Sequence, residues 1–288
     1  MFFMTVKRLT LWIGIFAALL AMSPRSYASL DLALRDEPLI EGQKPMTLSD
    51  LQNIKKENTV AKNDGLPLDI RRDAIKEAAL SYGARGGLAW RTYAIQQELM
   101  GRAGYMDKVY DFRQLLIAAP SGLLIEPPII NEQINAMLIE GDGQQAAVSD
   151  RVYNIINNAR ISSTARTWRT YLERDWGAVD PPPDILRPQD EEERALWIDL
   201  TQKGWDEGVT QANEIFQDDL NRLMADFKGM IRYRMLLAQG MVSPPYALQV
   251  DRGVTGGGDE MRIGDRAVQI TGIPELLTGS DQWQPANR

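Results

Sequence analysis

The chain has 288 residues, 44% of them hydrophobic and 25% charged, with 39 acidic against 32 basic side chains and neither histidine nor cysteine. That is enough apolar material for a globular body with a sizeable core. The acidic balance excludes a general nucleic-acid binder, which needs a basic face to exchange counterions, and the missing residue types exclude disulfides, Cys/His zinc sites and histidine-based triads.

Lys7 and Arg8 precede an apolar run over residues 9–22, and Ser26-Tyr27-Ala28 sets small residues where signal peptidase needs them. Residues 1–28 are therefore expected to be a secretory signal peptide cleaved between Ala28 and Ser29. The apolar run is short of the roughly 20 residues a bilayer span requires. Losing Lys7, Arg8 and Arg25 reduces the 32 bases to 29 against 39 acids, a net charge of −10. Residues 29–66 are acidic and polar with few spaced apolar side chains, and read as an extended or disordered segment with room for a short helix near residues 49–56.

A helix is expected from Ile70 to about Met100, with Asp69 as its cap. Ala79, Gly83 and Gly87 recur every four residues, so one stripe of it lacks side chains. Interior glycine costs up to about 1 kcal/mol against alanine, and close approach of another element over the stripe is the expected compensation. Residues 105–117 read as a short helix or strand, and Pro120, Pro127 and Pro128 mark an extended loop. Residues 129–140 and 144–161 flank Gly141-Asp142-Gly143 and suit a hairpin, although 129–139 also fits a helix. Residues 164–176 are expected to form a short helix before Pro181-Pro182-Pro183, a stiff strap over the surface.

The longest periodic stretch is 190–240. Asp190 caps it, Glu191, Glu192 and Glu193 favour the helix dipole, and Gly240 with Pro244-Pro245 ends it. Leu196, Leu200, Gly204, Gly208, Ala212, Ile215, Leu220, Leu223, Phe227, Met230 and Leu237 fall on one face. The stretch is expected to be one very long helix, or two broken near Gly204 or Gly208. Residues 260–263 and 266–270 alternate around Gly264-Asp265 as a hairpin, the body ends near residue 275, and 276–288 is expected to fray. The fold class that results is α+β, mainly helical, with long helices packed together beside small β-hairpins.

Little in the chain carries chemistry. Residues 253–258 are glycine-rich but lack the Gly-Lys-Ser/Thr of a phosphate loop. Asp218, Asp219, Glu207 and Glu214 belong to an acidic helical run that reads as a solvated face, and Asp142 lacks the companion oxygens of a calcium loop. No catalytic residue, cofactor or metal ligand is assigned. Tryptophan, tyrosine and arginine stand out instead, the residue types that dominate binding hot spots. Trp90, Arg91, Trp168, Arg169, Tyr171, Arg232, Tyr233, Arg234 and Tyr246 are the candidate interface. For Trp90, Trp197 and Trp205 a place in the core is the favoured reading.

Gly87-Leu88-Ala89-Trp90-Arg91, Trp168-Arg169-Thr170-Tyr171-Leu172, Gly229-Met230-Ile231-Arg232-Tyr233-Arg234 and Met241-Val242-Ser243-Pro244-Pro245-Tyr246 resemble motifs of the DotC family of type IVB (Dot/Icm) secretion systems. The likeness runs from about Asp69 to Pro274 and is nearest to the form carried by conjugative plasmids of the I-complex. It implies a non-catalytic subunit of an outer-membrane core complex, present in many copies in a ring. It also implies action with a DotD-like lipoprotein to bring a DotH-like subunit to the outer membrane. Lipoprotein members of the family carry an acylated cysteine that this chain lacks, so the membrane would be reached through partners, from the periplasm. A cell-wall-remodelling hydrolase and a transient periplasmic assembly chaperone are the alternatives.

Overall fold

The structure, a computed structural model, describes residues 44–55, 68–119, 122–140 and 145–284. The expected signal peptide with its cleavage site at Ala28 and Ser29, the rest of the segment before residue 44 and the turn Gly141-Asp142-Gly143 lie outside the described residues. The architecture is α+β and mainly helical.

Two helices form the frame, α2 (Leu68–Gly101) and α5 (Glu191–Ala238). At 48 residues α5 is about 72 Å long and has no break. The Asp190 carboxylate accepts from the Glu193 N–H at 2.8 Å, and Gly240, at φ 69°, takes the left-handed conformation just past the end. Arg71 bonds Glu193 and Arg91 bonds Asn213, so the two helices run in the same direction.

Their glycines explain why α5 does not break. A Cβ on Gly83 would strike the Thr201 carbonyl and one on Gly87 that of Trp205; in return, Gly204 lies against the Leu80 carbonyl and Gly208 against that of Ala84. Four glycines, two from each helix, thus let the backbones touch, and the packing gained offsets the propensity lost. The buried face of α5 is rotated by one position at its ends. Trp197, Thr201 and Leu236 are buried where the periodicity pointed to Leu196, Leu200 and Leu237. Trp197 wins its place because it buries far more surface than a leucine and packs on Tyr82, with ring centroids 6.1 Å apart.

Between residues 86 and 100, α2 has no exposed position, so it is covered all round. Part of the cover comes from α1 (Leu48–Gln52), where Asp50 closes the first turn on the Thr47 N–H at 2.8 Å. Leu51 is fully buried in the notch over Gly86, and its carbonyl accepts from Trp197 Nε1 at 3.1 Å. Leu51 thus anchors residues 44–55 on the core, in a segment expected to be extended or disordered apart from a short helix. Further cover comes from residues 164–183. Their only helix is the single turn α4 (Arg169–Leu172), and Gln96 Nε2 donates to the Leu172 carbonyl at 2.7 Å.

The region read as helix or strand holds α3 (Ala103–Val109), a 3-10 turn (Phe112–Leu115) and β1 (Ile117–Ala118). Strands β1, β2 (Leu124–Glu126) and β5 (Arg160–Ser162) form a small antiparallel sheet in the order β1-β2-β5. Strands β3 (Ile129–Glu140) and β4 (Gln145–Asn157) form the expected hairpin, and its base crosses α5 where Gly229 lets the Ile130 backbone approach.

A second ribbon pairs β6 (Tyr246–Gly257) with β7 (Glu260–Gly272). This corrects the expected turn at Gly264-Asp265. The chain reverses at Gly258-Asp259, and Gly264 is an extra residue inside β7, at φ 71°. The glycines at 253, 256, 258 and 264 all hold positive φ, so the glycine-rich stretch supplies bulges and a tight turn rather than a loop. The end of the chain does not fray at residue 276. Leu276 pairs with Val242, and the Leu277 and Gln284 N–H groups donate to the carbonyls of Met241 and Gln239, each at 2.9 Å, which ties residues 275–284 to the end of α5.

Candidate interaction surface

Most of the aromatic and arginine residues singled out in the sequence are used within the chain itself. Trp168 is 1% exposed, its Nε1 donates to Asp107 Oδ1 at 2.7 Å, and the Arg169 guanidinium lies 4.4 Å from its ring centroid while also bonding Asp107 at 2.8 Å. The Arg169 and Trp168 bonds hold the Asp107 carboxyl below the usual carboxylate range. Tyr171 stacks on Phe112 and donates to Asp226 at 2.7 Å. Burial, then the Asp226 bond, pushes its hydroxyl up to about 12.

Arg166 joins this cluster to the small sheet. It donates to Tyr171 Oη at 2.8 Å, to Asp226 at 3.0 Å and to Glu126 at 3.0 Å. Glu126 is 1% exposed and also accepts from Arg160, its neighbour across β2 and β5. Burial raises the Glu126 carboxyl, but the bonds from Arg160 and Arg166 outweigh it, and the net shift is downward. Two cations and two anions so balance in a closed network that ties α5, α4 and the small sheet together.

Trp90 packs tilted on Trp205 at 5.7 Å, and Arg91 bonds Asn213 at 2.7 Å and Glu98 at 3.4 Å. Tyr233 is fully buried among Ile130, Leu236 and Val242, and its hydroxyl, pushed up to about 12 by burial, has no partner among the described residues. Arg232 donates to the Ile130 carbonyl at 2.7 Å and to Glu132 at 3.1 Å, which clamps the base of the β3–β4 ribbon on α5. Arg234 is exposed and bonds the Gln114 carbonyl at 3.2 Å. Of these three interface candidates, Tyr233 points inward, because successive positions on a helix step round by about 100° and its position falls on the buried face. Trp168 and Tyr233 are interior. Of the nine candidates only Arg234 and Tyr246 are exposed, Tyr246 at 63%.

Among the described residues, the apolar surface that lacks a partner lies chiefly on the two ribbons. Strands β3 and β4 expose Ile134, Met137, Val148 and Ile156, and β6 and β7 expose Leu248, Val250, Val254, Met261 and Ile263, the last at 76%. Val254 pairs with Ile263, and Met261 lies two residues before Ile263 on the same strand, so the three share one face. Each ribbon has two strands only, and a two-stranded sheet needs a third strand or a packed face for stability of its own. A groove of about 620 Å³ between the base of the first ribbon and the chain terminus, with Tyr153, Leu236, Leu276 and Trp283 among its walls, adds apolar surface nearby. The alternation that predicted the hairpins also held this signal, since each had only one partner strand in sight.

Among the described residues no three acidic side chains gather as a metal site would require, and no helix is long and apolar enough to cross a membrane. No curated protein matches the chain. A family model described as "Type IV secretory system, conjugal DNA-protein transfer" matches residues 69–285, from the start of α2 to the segment that closes on the end of α5. The chain belongs to this TraI family of the type IV secretory system.

Proposed function

We propose that the chain is a non-catalytic structural subunit of the outer-membrane core complex of a conjugative type IVB secretion system. It corresponds to DotC and helps a DotH-like subunit reach the outer membrane beside a DotD-like lipoprotein. Membership of the conjugal transfer family supports the apparatus. The observation that carries the subunit role is the pair of two-stranded ribbons with large apolar side chains open to solvent, a surface that water disfavours and a neighbour would cover. The leader at residues 1–28 supports export, and the lack of cysteine supports attachment through partners rather than by acylation.

The test is quantitative mass spectrometry of complexes purified from detergent-solubilised envelopes of cells carrying the whole transfer system. Recovery with DotH-like and DotD-like proteins in comparable amounts is the expected result. Recovery alone from the soluble periplasm would overturn the subunit role in favour of a chaperone. Release of fragments from peptidoglycan by the purified protein would overturn the non-catalytic one.

A further inference from the structure

The open face of α5 is charged unevenly along its length. Residues 204–221 hold five acidic side chains and no basic one. Asp219 is turned inward, where Arg174 and Arg222 are both spent on it. Asp206, Glu207, Glu214 and Asp218 stay exposed within an arc of about 120°, spread over about 18 Å, and no cation pairs with them among the described residues. Glu214 and Asp218 stand one turn apart, where like charges repel and weaken a helix. The stripe is thus a cost to the isolated chain.

About 15 Å further along the same helix the sign reverses. Tyr110 and Phe112 pack on Phe227 with ring centroids 5.3 and 5.1 Å away, and Arg234 bonds the Gln114 carbonyl, so the segment after α3 meets α5 at one junction. Lys108, Lys228 and Arg234 are exposed there, and none is paired with a carboxylate among the described residues. The acids nearby are already engaged: Asp107 by Arg169, Asp111 by Arg113 and Asp226 by Arg166.

We infer that the acidic stripe of α5 in one copy of this chain docks on the Lys108, Lys228 and Arg234 junction of a second copy. The inference deepens the subunit reading above and rests on it. Charge complementarity selects the occupant. The two patches lie farther apart than the Debye length of about 8 Å at physiological salt, so they do not neutralise each other within one chain. A second copy brings to each patch the sign it lacks. The chain as a whole carries −7, so copies that bring acidic faces together repel, and the orientation that sets unlike patches against each other is the one favoured. Exposed ion pairs contribute little singly, so the contact acts by its sum and sets orientation and partner choice more than affinity.

The test places a photo-reactive benzoylphenylalanine at Gln211, exposed within the stripe, in the full chain and in cells carrying the whole transfer system. The expected product is an adduct of twice the chain's mass, with the second copy attached through residues 102–114 or 226–234. Glu214→Lys with Asp218→Lys should reduce it about tenfold or more, as should Lys108→Glu with Lys228→Glu, and all four changes together should restore it. The four positions are exposed, and thermal melting of each purified variant is expected to match the parent. In isolated envelopes of the parent, irradiated at rising salt, the same adduct should fade, a readout that needs no variant. An adduct with a different subunit, no adduct, an adduct that salt leaves unchanged, or no restoration in a fourfold variant that melts like the parent would overturn the inference. If the chain is recovered with the complex but yields no copy-to-copy adduct, the charge-pairing inference alone falls. If it is absent from the complex, the subunit reading falls with it.

Discussion

Four glycines decide how closely the two long helices approach, and each is a test by itself. Gly83→Ala or Gly208→Ala drives a methyl into a backbone carbonyl that cannot rotate away, so α2 and α5 must separate along their shared seam. Overpacking of this kind costs about 1–3 kcal/mol. Gly104→Ala meets open space in α3, where alanine's better helix propensity gives up to about 1 kcal/mol in the opposite direction. Urea unfolding followed by circular dichroism should therefore show lower midpoints for the first two variants and an unchanged or higher one for the third. A common fall in all three would mean that helix propensity, not the seam, sets the effect. The stripe Ala79, Gly83, Gly87 was legible in the sequence because an interior glycine needs a reason. Its partners Gly204 and Gly208 read equally well as break points, since one helix alone does not reveal what crosses it. Trp168 and Tyr233 were misread for a related reason: a large amphipathic ring is as useful in a core as at an interface, and composition does not separate the two.

Among the elements, the β6–β7 ribbon separates stability from assembly. Val254→Asn with Ile263→Thr replaces two side chains exposed at 62 and 76% that pair with each other across the strands. Surface changes of this type shift folding stability by about 0.5 kcal/mol or less. The melting temperature of the isolated chain should hold, while recovery in the envelope complex and transfer frequency fall. Unchanged recovery would show that this face is not covered in the assembly. The existence of both hairpins was legible from alternation and turn residues. The register of the second was not, because five closely spaced glycines, at 253, 256, 257, 258 and 264, offer several turns of equal local quality. Which turn is used depends on pairing between β6 and β7 over their whole length, with Tyr246 opposite Gly272 at the far end. A short helix near residues 49–56 was legible, but its burial was not: five residues have almost no helical stability alone, and Leu51 acquires its value only from the notch over Gly86.

At the scale of the whole molecule, the absence of histidine makes pH dependence a test of the buried ion pairs. Between about pH 5 and pH 9 no side chain with an ordinary pKa titrates, so stability should be level there. Glu126 and Asp219 are both nearly inaccessible. Burial raises their carboxyls, yet bonds from Arg160 and Arg166 to the first, and from Arg174 and Arg222 to the second, bring both below the unfolded values. A lowered folded pKa contributes stability that is complete above the unfolded value, near 4, and is lost as pH falls toward the folded one. Tyr171 and Tyr233 have the reverse sign. Their hydroxyls are pushed up to about 12, so their contribution is complete below the unfolded value near 10 and is lost between there and about 12. The urea midpoint should trace a plateau with an acid limb below about pH 4 and an alkaline limb above about pH 10. In Glu126→Gln the plateau should be lower, because Arg160 and Arg166 lose a buried partner, and the acid limb shallower, because one proton fewer is taken up on unfolding. An acid limb of parental steepness in that variant would show that folding does not lower the Glu126 carboxyl, and that Arg160 and Arg166 do not hold it as a buried ion pair.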